Sequence, residues 1–409
     1  MPSIRSSDSA KAYWAFAALG PFAIYGVVLA LLGVPFIQKQ QVYVFSVAPL
    51  YAHRFHTLWW NDVEKPERWG FAKNQVTPFT LEAPDGPALY CWHILPLSVY
   101  TPNEAVLSRA SPVPLEKHVS SEAFRLLRDD PDARLILSFH GNAGHIAQNT
   151  RAPQYRMLTD SAYKWHVIAL DYRGFGHSTG SPSEEGLITD ASTLVDYAIT
   201  TLRIPPSRIL ILGQSLGTAV SSAVAEKFSR EKGIDFAGVV LVAAFSSLPT
   251  MLASYSLGGV VPLLKPLNIC PPVLRFFLRF VVDKWKSLDR LAALTAQTRE
   301  RNGRLRISLI HGADDWDIPC VESVKIFEAT ARASVENGMD EPVFLETKDA
   351  RTEVRGEKAF KIIWRENNIT ITHEQFAFGG HNDIMVYAPV PQAVMTILET
   401  GTVAGSSAV

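Results

Sequence analysis

Cysteine is scarce in this chain of 409 residues: Cys91, Cys270 and Cys320 are all it has, and they are widely spaced. An odd number so dispersed makes no disulfide framework, and no pair shows the spacing of a zinc site. An excess of charge of one sign is also missing, with 39 basic residues against 40 acidic. No basic stripe suggests nucleic acid, and no acidic tail suggests a solvating arm. No internal repeat is visible. The glycine loop Asp171-Tyr172-Arg173-Gly174-Phe175-Gly176-His177-Ser178 follows a strand-like run, but its next glycine is Gly180, so the G-x-G-x-x-G spacing of a dinucleotide loop is absent. A loop fixed by an Asp171 or Arg173 bond to the backbone is the simpler reading. No cofactor is indicated.

Charge is missing altogether from Tyr13 to Ile37, a run of 25 residues. A membrane span needs about 20, whereas the apolar region of a cleaved signal is about 7 to 15. Gly20-Pro21 interrupts the run, which a transmembrane helix tolerates. Tyr13 and Trp14 at one edge suit the membrane interface. Residues 1–41 are therefore read as a signal anchor. Arg5 and Lys11 before it, against Lys39 and Arg54 after it, slightly favour a cytoplasmic amino terminus. The catalytic domain is then expected in the lumen of the endoplasmic reticulum, and Asn368-Ile369-Thr370 becomes a possible glycosylation acceptor.

An aromatic-rich linker, 42–75, follows, with packing against the domain favoured over a membrane-surface helix. Strands are expected at Val76–Glu82 and Ala88–Leu95 around the turn Pro84-Asp85-Gly86-Pro87. The stretch 101–131 reads as a loop with a short helix near Glu122–Leu127. Continuous apolar runs then recur at 135–139, 167–170, 209–212, 239–242 and 307–310, with helix-length segments between. That alternation predicts an α/β fold whose mostly parallel sheet is covered by helices on both faces. The core is expected over 76–245 and 295–400, with a tail at 401–409. Residues 246–294 are too long and too apolar for a plain loop and read as a helical cap. A charged insertion, about 346–370, separates the last strands.

The chemistry centres on Gly213-Gln214-Ser215-Leu216-Gly217. Ile209–Leu212 leads into it as a strand and a helix-compatible stretch leaves it. A strand, tight turn and helix of this kind hold a serine above a sheet as a nucleophile. The five-residue pattern is weak alone; its partners strengthen it. Serine needs a base, usually histidine, held in its tautomer by a carboxylate. The chain order on such sheets is Ser, Asp or Glu, then His. His381 follows a glycine turn after a strand. Asp315, three residues after Gly312 and four before Pro319, suits a side chain reaching back over the sheet. Asp314 and Asp317 read as solvated or loop-capping. His373 reads as an ordinary surface residue. For the oxyanion, the backbone N–H groups of Leu216 and of Asn142, in the loop His140-Gly141-Asn142-Ala143-Gly144-His145, are the expected donors. His140 is read as bonding within that loop, and His145 as lying near the cavity mouth. Cys320 is expected to start a helix near the active face.

On these segments, together with Pro182-Ser183-Glu184, Asp315–Pro319 and Gly380-His381-Asn382-Asp383, the chain resembles the α/β-hydrolase superfamily. Within it the likeness is to membrane-anchored lipases of the α/β-hydrolase-domain-12 group, which hydrolyse monoacylglycerol and lysophosphatidylserine. The resemblance covers about 76–398 and implies Ser215, Asp315 and His381 as the triad. Gln214 departs from it, since many relatives carry histidine there, and so does the 346–370 insertion. The expected activity is hydrolysis of a lipid carboxylic ester at a membrane. The rival readings are an acyl-thioesterase or peptidase on the same fold, or a non-catalytic interaction protein on a hydrolase scaffold.

Overall fold

The computed structural model describes residues 62–110, 115–254, 256–257, 261–262, 264–336 and 338–403. The apolar run Tyr13–Ile37 and the first part of the aromatic linker lie outside them. No helix among the described residues is long and apolar enough to cross a membrane. The described part of the linker packs on the domain. Val63 is buried, and its carbonyl accepts from the Tyr90 hydroxyl and the Trp92 indole, each at 3.1 Å.

Ten strands among the described residues form one sheet. They are β1 (Val76–Glu82), β2 (Ala88–Ile94), β3 (Arg134–Phe139), β4 (Trp165–Leu170), β5 (Ile209–Gln214), β6 (Gly238–Val242), β7 (Leu305–Gly312), β8 (Thr352–Gly356), β9 (Ala359–Glu366) and β10 (Ile369–Phe376). The spatial order is β1-β2-β4-β3-β5-β6-β7-β10-β9-β8. The six strands from β4 to β10 in that order run parallel, and the pairs at both ends are antiparallel.

The interior strands read as unbroken apolar runs because each buries both faces. Leu135, Leu137, Ile209 and Ile211 point to one core, and Ile136, Leu210 and Leu212 to the other. The described α-helices are α1 (Leu97–Leu107), α2 (Glu122–Arg128), α3 (Arg151–Thr159), α4 (Glu184–Asp196), α5 (Leu216–Lys232), α6 (Leu248–Ser254), α7 (Pro271–Leu278), α8 (Ser287–Glu300), α9 (Val321–Ser334), α10 (Glu341–Ala350) and α11 (Pro389–Val403); short single-turn helices and a two-residue strand pair, Ser256–Leu257 with Val261–Pro262, lie between them. The first core takes α4, α5, α8 and α9; the second takes α3 and α11.

This layering positions the site. The chain leaves β3 toward α3 on one face and leaves β5 toward α5 on the other. The two loops part at the carboxyl ends of adjacent strands, which opens a crevice there.

Four differences from the sequence reading have physical causes. Helix α1 occupies part of the stretch expected as loop. It contains Pro102, which costs a helix interior about 3 kcal/mol, yet Val99, Tyr100 and Leu107 are buried on one cluster and offset it. The charged 346–370 segment is no detached insertion. It forms the end of α10 and the β8–β9 hairpin, which widens the sheet and buries Phe344, Ile362 and Trp364. The last part of 246–294 lies in α8, which packs against α5 and α9 as a core helix. His373 is fully buried in β10, stacked on Phe327, because it alternates in register with inward-facing Ile369 and Ile371. Burial pulls its pKa down to about 3, so it sits there as a neutral ring.

Candidate active site

Ser215 sits between β5 and α5 with φ 53° and ψ −121°. A non-glycine residue with positive φ is uncommon and held only by its surroundings. Its own N–H donates to the Val242 carbonyl at 3.0 Å, and its carbonyl accepts from the Thr218 N–H at 2.8 Å and hydroxyl at 2.6 Å. The flanking glycines let α5 approach the sheet. A Cβ at Gly213 would overlap the Gly217 carbonyl, and one at Gly217 would overlap that of Phe139.

His381 reaches the serine from the loop after β10. Its Nε2 lies 3.0 Å from the Ser215 hydroxyl, and its Nδ1 lies 2.8 Å from Asp315 Oδ2. Asp315 comes from the loop after β7. Its Oδ1 accepts the N–H groups of Asp317 and Ile318, both at 2.9 Å. Its Oδ2 has a second neighbour, His311 Nε2, at 3.2 Å. Burial works to raise the Asp315 carboxyl, but the hydrogen bonds from His311 and His381, together with the attraction of those rings for the carboxylate charge, outweigh it. The carboxyl is held well below the usual range and stays ionised. Burial works to depress the His381 imidazole, while the bond to Asp315 and its charge raise it. The net shift is upward.

The other two aspartates divide their work. Asp314 Oδ1 accepts the Gly380 N–H at 2.7 Å and so caps the turn that carries His381. Asp317 lines the cavity, and burial raises its carboxyl.

The loop after β3 faces the serine from the other side of the crevice. Leu216 opens α5, so its N–H belongs to the first-turn donors that lack an intrahelical acceptor. Asn142 lines the cavity beside it. Arg151, the first residue of α3, gathers four carbonyls of this loop. Nη1 donates to His145 at 2.6 Å, and Nη2 to Gly141, Asn142 and Ala143 at 3.0, 3.1 and 2.8 Å. His140 Nδ1 also bonds the Gly141 carbonyl at 2.7 Å. In a trans peptide the carbonyl and the next N–H point opposite ways. Holding the Gly141 carbonyl therefore aims the Asn142 N–H away from Arg151. His140 bonds within its own loop, as read from sequence. His145 is buried against Trp69 and does not line the cavity.

The loop after β4 is fixed differently from expectation. Arg173 joins two carboxylates, Asp190 at 2.7 and 2.9 Å and Asp85 at 2.6 and 2.9 Å. Its backbone N–H also donates to Asp190 at 2.8 Å.

A cavity of about 330 Å³ opens over Ser215. Phe245, Leu248, Met251, Leu252, Trp285 and Ile318 supply apolar lining, and Gln148, Asn149, Thr150, Gln214 and Asn382 supply polar lining. The two ends of the cap are pinned by carboxylates. Glu322 accepts the Ser246 N–H at 3.0 Å and bonds its hydroxyl. Glu184 accepts the N–H groups of Lys284 and Trp285 at 2.6 and 2.9 Å and pairs with Arg290 at 2.7 Å.

Residues 134–257, from β3 past Ser215 into the cap, match the alpha/beta hydrolase fold family. Human protein ABHD12B is 33% identical over 199 residues, which cover 49% of this chain and 50% of the relative. The lysophosphatidylserine lipase ABHD12 of Danio rerio is 26% identical over 281 residues, 68% of this chain and 64% of the relative. The chain carries an alpha/beta hydrolase fold and is similar to the ABHD12 proteins. It spans between half and two-thirds of the length of these relatives. The structure brings the expected His381 to Ser215 and the expected Asp315 to His381; the supporting contacts of His311, Arg151 and Gln214 were not foreseen from the sequence. His311 sits four residues before Asp315 in the strand itself. Arg151 lies nine residues beyond the Asn142 it orients. Gln214 donates to the His381 carbonyl at 3.2 Å and to Asn382 Oδ1 at 3.3 Å, tying the histidine loop to the end of β5. The only sequence signal for the other two was their place beside strand ends.

Proposed function

We propose that the chain is a serine hydrolase of carboxylic esters, with a single-chain lipid ester such as a monoacylglycerol or lysophospholipid as substrate. The observation that carries the reading is the chain of contacts from Ser215 through His381 to an ionised Asp315, beside a cavity lined by both apolar and polar side chains. His381 takes the hydroxyl proton as Ser215 attacks the ester carbonyl, and Asp315 holds the resulting imidazolium. The N–H groups of Leu216 and Asn142 receive the developing oxyanion. His381 then returns the proton to the leaving alcohol. Water attacks the acyl-Ser215 ester by the same route and releases the acid. The apolar lining takes the acyl chain, and the polar lining at Gln148–Thr150 takes the polar head. The lipase name of ABHD12 from Danio rerio supports this substrate class. The run Tyr13–Ile37 is proposed as the anchor that keeps the domain at a membrane.

Turnover of a monoacylglycerol, a lysophospholipid, an acyl-thioester and a peptide by purified full-length protein tests the reading. The oxygen esters should be cleaved, and Ser215→Ala should lose at least about 10³-fold in kcat. Preferential cleavage of the peptide or thioester, or undiminished turnover by Ser215→Ala, refutes it.

A further inference from the structure

The cap carries an apolar face that no part of the described protein covers. Helix α7 has no buried residue. Ile269 is 92% exposed, Phe276 53%, Phe280 41% and Val273 39%. Val273 and Phe276 stand three apart on α7, Ile269 ends the short helical turn before it, and Phe280 lies just past its end, so the exposed apolar groups run through one continuous cap segment. Phe276 packs edge-on against Phe277 and Phe280, at 5.6 and 5.2 Å between ring centres. The phenylalanines thus contact one another at the surface instead of entering the core. Large aromatic and aliphatic groups left together in water mark an interaction surface.

Charge identifies what fits it. From Lys265 to Val282 there is no acidic residue, and there are three basic ones, Lys265, Arg275 and Arg279. All three are exposed, and none makes an ion pair among the described residues. Elsewhere the chain balances its charges almost one for one. A short helix with exposed apolar groups on it and at both its ends, beside cations that make no ion pair, is the pattern that lies in an anionic lipid interface.

We propose that the α7 face, Ile269 to Val282, docks on an anionic phospholipid surface. Ile269, Val273, Phe276 and Phe280 enter the headgroup boundary while Arg275 and Arg279 contact lipid phosphates and carboxylates. The same cap segment supplies Leu248, Met251 and Leu252 to the cavity wall. Docking therefore sets the cap against the surface from which a lipid ester would be drawn. In that respect the proposal rests on the lipid-ester reading of the cavity.

Cys270 provides the probe, because it is exposed in this face while Cys91 is buried. Full-length protein carrying Cys320→Ala is labelled at Cys270 with an environment-sensitive fluorophore. It is then reconstituted into vesicles of phosphatidylcholine alone or mixed with phosphatidylserine. The emission should shift to the blue in the mixed vesicles, shift less in phosphatidylcholine, and lose much of the difference at high salt. Phe276→Asp with Phe280→Asp should abolish the shift and lower hydrolysis of a vesicle-borne ester, while hydrolysis of a water-soluble short-chain ester stays at the wild-type rate. Emission indifferent to phosphatidylserine, or unchanged in the double variant, overturns the proposal; a face that serves a protein partner would give that result. A shift without cleavage of either ester leaves docking standing and refutes the hydrolase reading. Cleavage of both esters without a shift does the reverse.

Discussion

Ser215 holds its hydroxyl on a backbone conformation that L-residues rarely adopt, and the groups around it determine the consequence. Its N–H, its carbonyl and its hydroxyl are each engaged. The strain is thus spread over a network that fixes where Oγ points. The pH dependence of the reaction belongs at this scale. The base acts as a neutral imidazole. Burial would depress its pKa, yet the bond and charge of Asp315 raise it above the ordinary 6.5. Protonation therefore silences the site from a higher pH than for a free histidine. The expected profile of log(kcat/KM) rises with unit slope through an inflection above 6.5 and then levels. Asp315→Asn should move that inflection down. An inflection below 6.5 in the wild type would show that burial outweighs Asp315. Ser215, His381 and Asp315 were legible in sequence as candidates because the proposed chemistry confines its groups to Ser, His and Asp at strand ends. The residues that hold them were not. His311, in β7, reaches Asp315 only because the loop after that strand folds back over it.

The loop after β3 shows how an element is held in a working shape. Four carbonyls converge on one guanidinium from the start of α3. No carboxylate lies within ion-pair distance of Arg151 among the described residues, and burial lowers its pKa. The cation is held by carbonyl dipoles, a costly arrangement unless every donor is used. Arg151→Met keeps the bulk and removes the donors. It should lower kcat by about 10- to 100-fold through a loosened Asn142 N–H, with KM close to wild type. A variant that melts like wild type and keeps its kcat would remove Arg151 from this role. At the same scale, strands were legible where they are buried on both faces, since those read as continuous apolar runs. The β8–β9 hairpin was not. It lies at the sheet margin, and β8 is mostly exposed and charged, as an unpaired edge favours. Helix α1 was hidden by Pro102.

Over the whole molecule, strand order explains why residues from 142 to 381 meet. Ser215, Asp315 and His381 follow β5, β7 and β10, and the loop carrying Asn142 follows β3. All of these strands are parallel, so their carboxyl ends open on one rim. The parallel sheet was legible from alternation alone; the extent of the cap was not. Its return helix α8 carries an amphipathic pattern that suits a lid as well as a core layer. What settled it is packing between α5 and α9, a long-range fact. With the cap pinned through Glu322 and Glu184, the cavity has a defined wall over the serine.

The central claim is that Ser215 alone in this chain is the activated nucleophile. Full-length protein is treated with a fluorophosphonate, digested, and its adduct located by mass spectrometry. One adduct should form, on the Ser215 side chain, and it should vanish in His381→Ala while the fold persists. An adduct on another residue, or equal labelling of Ser215 without His381, would contradict it.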